Sequence, residues 1–142
     1  MKALDAVPVL NELLRILCRS LPAYLANAKP WAQSEDQQLR EALDHLVADE
    51  HRYAGLVSEA IAAHGARPNP GQFAMHWMAK HDLSLSFLVR EIILYQEQDV
   101  AAIEQCATEL EEVASLHSLA DEILGNARGH LDILKEIVNS KR

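Results

Sequence analysis

The amino-acid sequence predicts an all-α fold, with residues 1–142 forming one domain built as an antiparallel four-helix bundle. Apolar residues recur at helical spacing along most of the chain, and no long stretch alternates apolar and polar residues as a strand does. Five glycines and five prolines leave little turn material, so few and long elements are expected. Aromatic residues make up 5% of the chain, so aliphatic side chains must fill the core.

The first predicted helix begins near Asp5 and ends at Pro30. Pro22 lies inside this pattern and predicts a kink, because proline lacks a backbone N–H and clashes with the preceding turn. The apolar face of this helix is formed by Leu10, Leu13, Leu17, Leu21 and Tyr24.

The second predicted helix starts at a capping box made by Ser34 and Gln37. It runs to about His64, where Gly65 supplies a C-terminal stop. Residues 65–71 are rich in glycine and proline and form an extended connection. This connection either turns back at once or crosses the bundle.

The third predicted helix begins at Phe73 or at His81 and runs to about Ile103. No glycine or proline marks its boundary with the fourth helix, which is expected within residues 104–110. The fourth helix then continues to about Val138, which completes the four predicted helices.

Charge and composition narrow the classes of function. A chain with a net charge of −8 has no basic patch to neutralise phosphates, which argues against a nucleic-acid partner. No uncharged apolar run approaches the ~20 residues that a membrane span requires. Asp5, Glu12 and Arg15 interrupt any apolar run that could serve as a signal peptide. Cys18 and Cys106 lie far apart and are expected to be small core residues. A cytoplasmic protein is therefore expected.

Two polar residues, Glu50 and His130, fall on what should be the buried stripes of two helices. An ionised carboxylate on an apolar face is costly unless it is paired or binds a metal. The stripe around Glu50 contains Leu43, Leu46, Val57 and Ile61, and the stripe around His130 contains Ile123, Leu134 and Ile137.

Three stretches of the chain resemble the bacterioferritins. Leu10-Asn-Glu-Leu-Leu14, followed by Tyr24 and Trp31, resembles their first helix. Asp49-Glu-His-Arg-Tyr-Ala54 resembles their second helix, and residues 121–134 resemble their fourth. The chain is therefore similar to a divergent member of the ferritin-like superfamily.

The resemblance implies a di-iron site with six ligands, a Glu from each of two helices and a Glu-x-x-His from each of the other two. Leu17, Tyr53 and Ala127 stand at three of those positions, where the family has Glu, His and Glu. Glu50 and His130 remain. At most three of the six ligands are kept, so ferroxidase activity is not expected.

Two interpretations of the remaining residues stay open. In the first, Glu50, Tyr53 and His130 form a hydrogen-bonded polar cluster in the core, with no cofactor, and the protein has a non-catalytic binding or structural role. In the second, Glu50 and His130 bind one iron or zinc ion together with Glu91, which is the third-helix counterpart able to bind a metal. The register of the third helix is left open.

The resemblance also carries two expectations about partners. The family forms dimers through the first two helices, so a homodimer is expected. His51 stands where bacterioferritins carry a methionine that binds haem across the dimer axis. A pair of His51 side chains could therefore bind haem, which adds haem binding to the second interpretation.

Overall fold

The computed structural model describes residues 3–28, 36–73 and 85–140, without the side chains of residues 3, 4, 27, 28 and 86. Within these ranges the regular structure is entirely helical, which confirms the all-α prediction. None of the described helices is long and apolar enough to cross a membrane. The five helices are α1 (Ala3–Cys18), α2 (Leu21–Ala28), α3 (Gln37–Ala63), α4 (Leu85–Glu109) and α5 (Ala114–Ser140).

The first predicted helix is divided into two, α1 and α2. The kink expected at Pro22 is a break at Arg19 and Ser20. The break places Pro22 in the first turn of α2, where its missing N–H would have no helical acceptor. The Ser20 hydroxyl accepts a hydrogen bond from the backbone N–H of Ala23 at 3.1 Å, so Ser20 caps the N-terminus of α2.

Helix α3 is capped at both ends by residues of its own flanks. The Asp36 carboxylate accepts a hydrogen bond from Leu39 N at 3.1 Å, which makes Asp36 the N-cap. The cap predicted at Ser34 lies outside the described residues. The helix ends at Ala63, close to the predicted end, and Gly65 follows with the positive φ of 76° typical of a helix stop.

The connection after α3 runs lengthwise beside the first two helices. The Asn69 N–H donates to the Asn11 side chain at 2.8 Å. Further along, the Phe73 ring lies edge-on to the Tyr24 ring, with 5.2 Å between centroids. The segment therefore follows α1 and α2 as far as Phe73, instead of turning back. Phe73 lies in this extended segment, and the other predicted start of the third helix, His81, lies outside the described residues.

Helix α4 extends six residues past the predicted end at Ile103 and ends at Glu109, within the range predicted for the boundary with the next helix. The chain turns at residues 110–113, where the Val113 N–H donates to the Leu110 carbonyl at 3.0 Å. Ile103, Cys106 and Leu110 are all buried, so the apolar stripe continues beyond Ile103, the predicted end of the helix. The burial of that stripe explains why the helix reaches Glu109.

Two apolar cores follow one another along the helices. The first core joins α1 to the C-terminal halves of α3 and α4 and to the N-terminal half of α5. The second core joins α2 to the opposite halves of the same three helices. The first includes Leu10, Leu13, Val57, Ile61, Leu110 and Ile123, and the second includes Leu21, Leu25, Leu43, Leu88, Ile92 and Leu134.

Candidate functional site

A small cavity lies inside the bundle where the two cores meet. Its volume is about 10 Å³, close to the minimum that one water molecule needs. Apolar side chains from both cores line it, and polar side chains from α3, α4 and α5 complete the lining. The polar lining residues are Glu50, Tyr53, Gln96, Asp99, Asn126 and His130, and the apolar ones are Leu17, Leu46, Ile103, Ile123 and Ala127.

His130 is paired with Asp49. The His130 Nε2 atom lies 2.7 Å from Asp49 Oδ2, and the Asn126 amide donates to the same oxygen at 2.9 Å. His130 therefore pairs with the residue next to Glu50 in the sequence, and not directly with Glu50 as in the predicted cluster of Glu50, Tyr53 and His130. Successive residues of an α-helix point about 100° apart, so Asp49 faces α5 while Glu50 faces a different side of α3.

The hydrogen bonds to Asp49 favour its ionised form. The bond from Asn126 holds the pKa of the Asp49 carboxyl below its usual range, and His130 and Arg52 lower it further, against an opposing effect of burial. The Asp49 side chain is 32% exposed and that of His130 is 13% exposed. The pair therefore lies near the surface of the bundle, with His130 reaching the cavity.

Replacing Asp49 by alanine is expected to lower the free energy of unfolding by about 1–2 kcal/mol, because His130 and Asn126 would each lose an acceptor. The expected loss of stability is small for two broken hydrogen bonds, because the site is partly exposed and water can accept the hydrogen bonds that Asp49 accepted. Urea unfolding at pH 7 measures the change. Asp132→Ala, at an exposed position on α5, is the control and should change stability by less than about 0.5 kcal/mol. Equal effects of the two substitutions would contradict a role for Asp49.

Glu50 is bonded to the residue that caps α2. The Ser20 hydroxyl donates to Glu50 Oε1 at 2.8 Å while its oxygen accepts from Ala23 N. Ser20 is only 2% exposed, so it uses both hydrogen-bonding functions of its hydroxyl inside the fold. Burial raises the pKa of Glu50 well above its usual range, against the effect of the Ser20 bond, and nearby Asp99 raises it further.

Asp99 is the second acidic side chain of the cavity. Burial raises its pKa to about 7. The Gln96 amide, on a residue that is 4% exposed, donates to Asp99 Oδ2 at 3.3 Å. Among the described residues neither Asp99 nor Glu50 forms an ion pair with a basic side chain. Two neighbouring carboxyls that are largely shielded from water and have no cation beside them are most stable when at least one is neutral.

Glu91 does not belong to this cavity. It lies eight residues before Asp99 on α4, which corresponds to about 12 Å along the helix axis. The residues of α4 that reach the cavity are Gln96, Asp99 and Ile103. Together with buried Ile92, these residues are separated by steps of four, three and four along the chain, which is the spacing of one helix face. This spacing is the feature of the sequence that indicates an inward position for Asp99.

The described residues do not form a metal-binding group. No three His, Cys, Asp or Glu side chains among them are arranged to hold an ion. The set Glu50, His130 and Glu91 is therefore not brought together: the first two line the cavity and the third lies further along α4.

An open groove of about 300 Å³ lies on the outer side of the break between α1 and α2. Glu50 lines both this groove and the inner cavity, so its side chain stands between them. His51 is exposed and lies on the groove as well. The remaining lining residues are Leu17, Cys18, Arg19, Ala23, Ala26, Val47, Ala54 and Phe73.

Comparisons with models of known protein families, with curated proteins and with solved structures found no match to this chain. Its function is therefore inferred from its own residues and their geometry.

Proposed function

We propose that this chain is a divergent ferritin-like protein that has lost the di-iron ferroxidase centre and has a non-catalytic binding role. One observation carries the proposal. Leu17, Glu50, Tyr53, Ala127 and His130, which the resemblance aligns with ligand positions on three helices, all line the same small cavity. An incorrect alignment would scatter such positions over different sides of the helices, so their convergence supports the relationship.

The course of the helices also supports the proposal. The α1–α2 pair and α5 run from the first core to the second, whereas α3 and α4 run from the second to the first. Helix α1 packs on α3 and α4, and α5 packs on the same two helices. Neighbouring helices would then be antiparallel, and α3 and α4 would run in the same direction, joined by the lengthwise connection.

The chemistry of the cavity supports the loss of ferroxidase activity. Leu17 and Ala127 place apolar groups where the resemblance implies glutamates. A carboxyl group must lose its proton to bind a metal ion, and burial opposes that loss at Glu50 and at Asp99. His130 is already engaged by Asp49. Glu50, Asp99 and His130 each have a hydrogen-bond partner within the protein, which favours a cavity without a metal ion.

The metal content of the purified protein tests this proposal. We expect less than about 0.1 metal ion per chain by mass spectrometry, before and after anaerobic loading with Fe(II), since too few ionised ligands remain. The visible spectrum should show no Soret band. Near-stoichiometric iron or zinc would instead favour a reduced metal site at Glu50 and His130. A Soret band that disappears in His51→Ala would favour haem binding at His51.

The proposal includes a cytoplasmic homodimer formed through the first two helices of the bundle. Leu56 is 38% exposed on α3, and a Cβ atom built on neighbouring Gly55 would meet no atom within 4 Å. This exposed apolar side chain supports a partner at this face, although Phe87, Leu94 and Ile133 on α4 and α5 are more exposed. A monomeric mass by light scattering at micromolar concentration would contradict the dimer.

A further inference from the structure

Arg19 fastens the connection after α3 to the break between the first two helices. Its Nε atom donates to the carbonyl oxygens of Pro70 at 3.1 Å and Gly71 at 2.8 Å. Its guanidinium carbon also lies 4.8 Å from the centroid of the Phe73 ring, which is a cation–π contact. A single side chain therefore contacts three of the last four residues of the described connection.

The rest of the attachment includes a hydrogen bond from the Asn69 N–H to Asn11, the contact of Phe73 with Tyr24 and the packing of Ala66 on the first core. We call residues 66–73 the strap, and every side chain in it is exposed or half-buried. Pro68 and Pro70 have no N–H to donate, and the Gly71 N–H donates within the strap, to the Asn69 side chain at 3.3 Å. Segments with little buried apolar surface and few hydrogen bonds to the body of a protein open at low free-energy cost. The strap has these properties, whereas the helices beneath it are anchored in the two cores.

The strap also borders the groove that leads to Glu50. Phe73, at its end, and Arg19 form part of the groove wall, and Cys18 and Glu50 lie in the same groove. We propose that the strap is a releasable cover over the end of the groove at Phe73, that Arg19 holds it closed, and that its opening widens the access of small solutes to Cys18 beside Glu50. This inference concerns the strap alone and holds whether or not the cavity binds a metal.

The two cysteines provide a test within the intact chain. Cys18 is half-buried in the groove, and Cys106 is 3% exposed in the first core. The protein is labelled with a small thiol reagent at constant pH and increasing urea, and peptide mapping gives a rate for each cysteine. We expect the Cys18 rate to be independent of urea below the unfolding transition, because opening the strap exposes little surface. The Cys106 rate should rise with urea, because labelling there requires global unfolding.

Replacing Arg19 should accelerate the labelling of Cys18. In Arg19→Gln we expect an increase of about tenfold, because hydrogen bonds from a charged donor to the strap are lost. The positive charge of Arg19 lowers the pKa of the Cys18 thiol, against the larger effect of burial. Removing that charge would by itself raise the pKa and slow labelling, so faster labelling reports opening. Arg128→Gln, at an exposed arginine on α5, is the matched control and should stay within about twofold of wild type.

Three results would overturn the proposal. The first is labelling of Cys18 and Cys106 with the same urea dependence, which would mean that the groove opens only on unfolding. The second is a Cys18 rate in the wild-type protein equal to that of an unstructured peptide thiol, after correction for pKa, which would mean that nothing covers it. The third is an unchanged Cys18 rate in folded Arg19→Gln.

Discussion

Asp99→Asn is expected to reduce the loss of stability between pH 5.5 and 7.5 by about 1–3 kcal/mol, which is the share of that loss that the raised pKa of Asp99 causes. The pKa of Asp99 is raised from 3.8 to about 7 by burial. Between these two values the folded protein holds a proton that the unfolded chain has released. Stability therefore falls as the pH rises through this range, and the contribution of Asp99 becomes constant above it.

Glu50 and Asp49 also contribute to the pH dependence of stability, in opposite directions. The raised pKa of Glu50 adds a loss of the same sign as the pH rises. Asp49 acts in the opposite sense, because its lowered pKa gives stability that is lost only in acid, below the usual range of an aspartate. Urea unfolding at pH 5.5 and 7.5 measures the effect, with Asp132→Asn as an exposed control. The same pH dependence in Asp99→Asn and in wild type would contradict the assignment.

Iron binding is expected to appear when the missing ligands are restored together. The variant Leu17→Glu, Tyr53→His and Ala127→Glu would surround the cavity with five of the six ligands that the resemblance implies, alongside Glu50 and His130. Without metal it should be less stable than wild type, because it buries more unpaired charge. Fe(II) at 100 times its dissociation constant should then restore about 2.7 kcal/mol, seen as a rise in melting temperature under anaerobic conditions.

The same variant carrying Glu50→Ala is the matched control. It keeps four of the five ligands but lacks the carboxylate that stands between the groove and the cavity, so its melting temperature should rise less with Fe(II) than that of the triple variant. A folded triple variant that takes up no iron would contradict the ferritin-like register of the first, second and fourth helices. That result would not contradict the hydrogen bonds described for Glu50, Asp99 and His130, which do not depend on the register.

Much of the candidate site could be predicted from the sequence because helical spacing is a local property. The apolar stripes around Glu50 and His130 indicated which faces of α3 and α5 are turned inward, and both residues line the cavity. The resemblance aligned Leu17, Tyr53 and Ala127 with them, and these three also line it. The third helix lacks a motif of this kind, so the sequence alone does not distinguish Asp99, which lines the cavity, from Glu91, which does not.

The position of the break at Ser20 could not be predicted from local sequence patterns alone. The sequence indicated that Pro22 would disturb the first helix. The position of the break depends on more than proline, because Ser20 caps α2 and at the same time donates to Glu50 on another helix. Only the packed structure brings those two partners together.

The sequence by itself determined the all-α class, the end of α3 and the inward faces of three helices. These features depend on periodicity, on glycine and on proline, all of which act between near neighbours in the chain. The tertiary structure decided that His130 pairs with Asp49, that Asp99 joins Glu50 at the cavity and that the strap follows α1. Those contacts depend on how each helix is rotated about its axis and shifted along its neighbours, and a difference of one residue turns a side chain by about 100°.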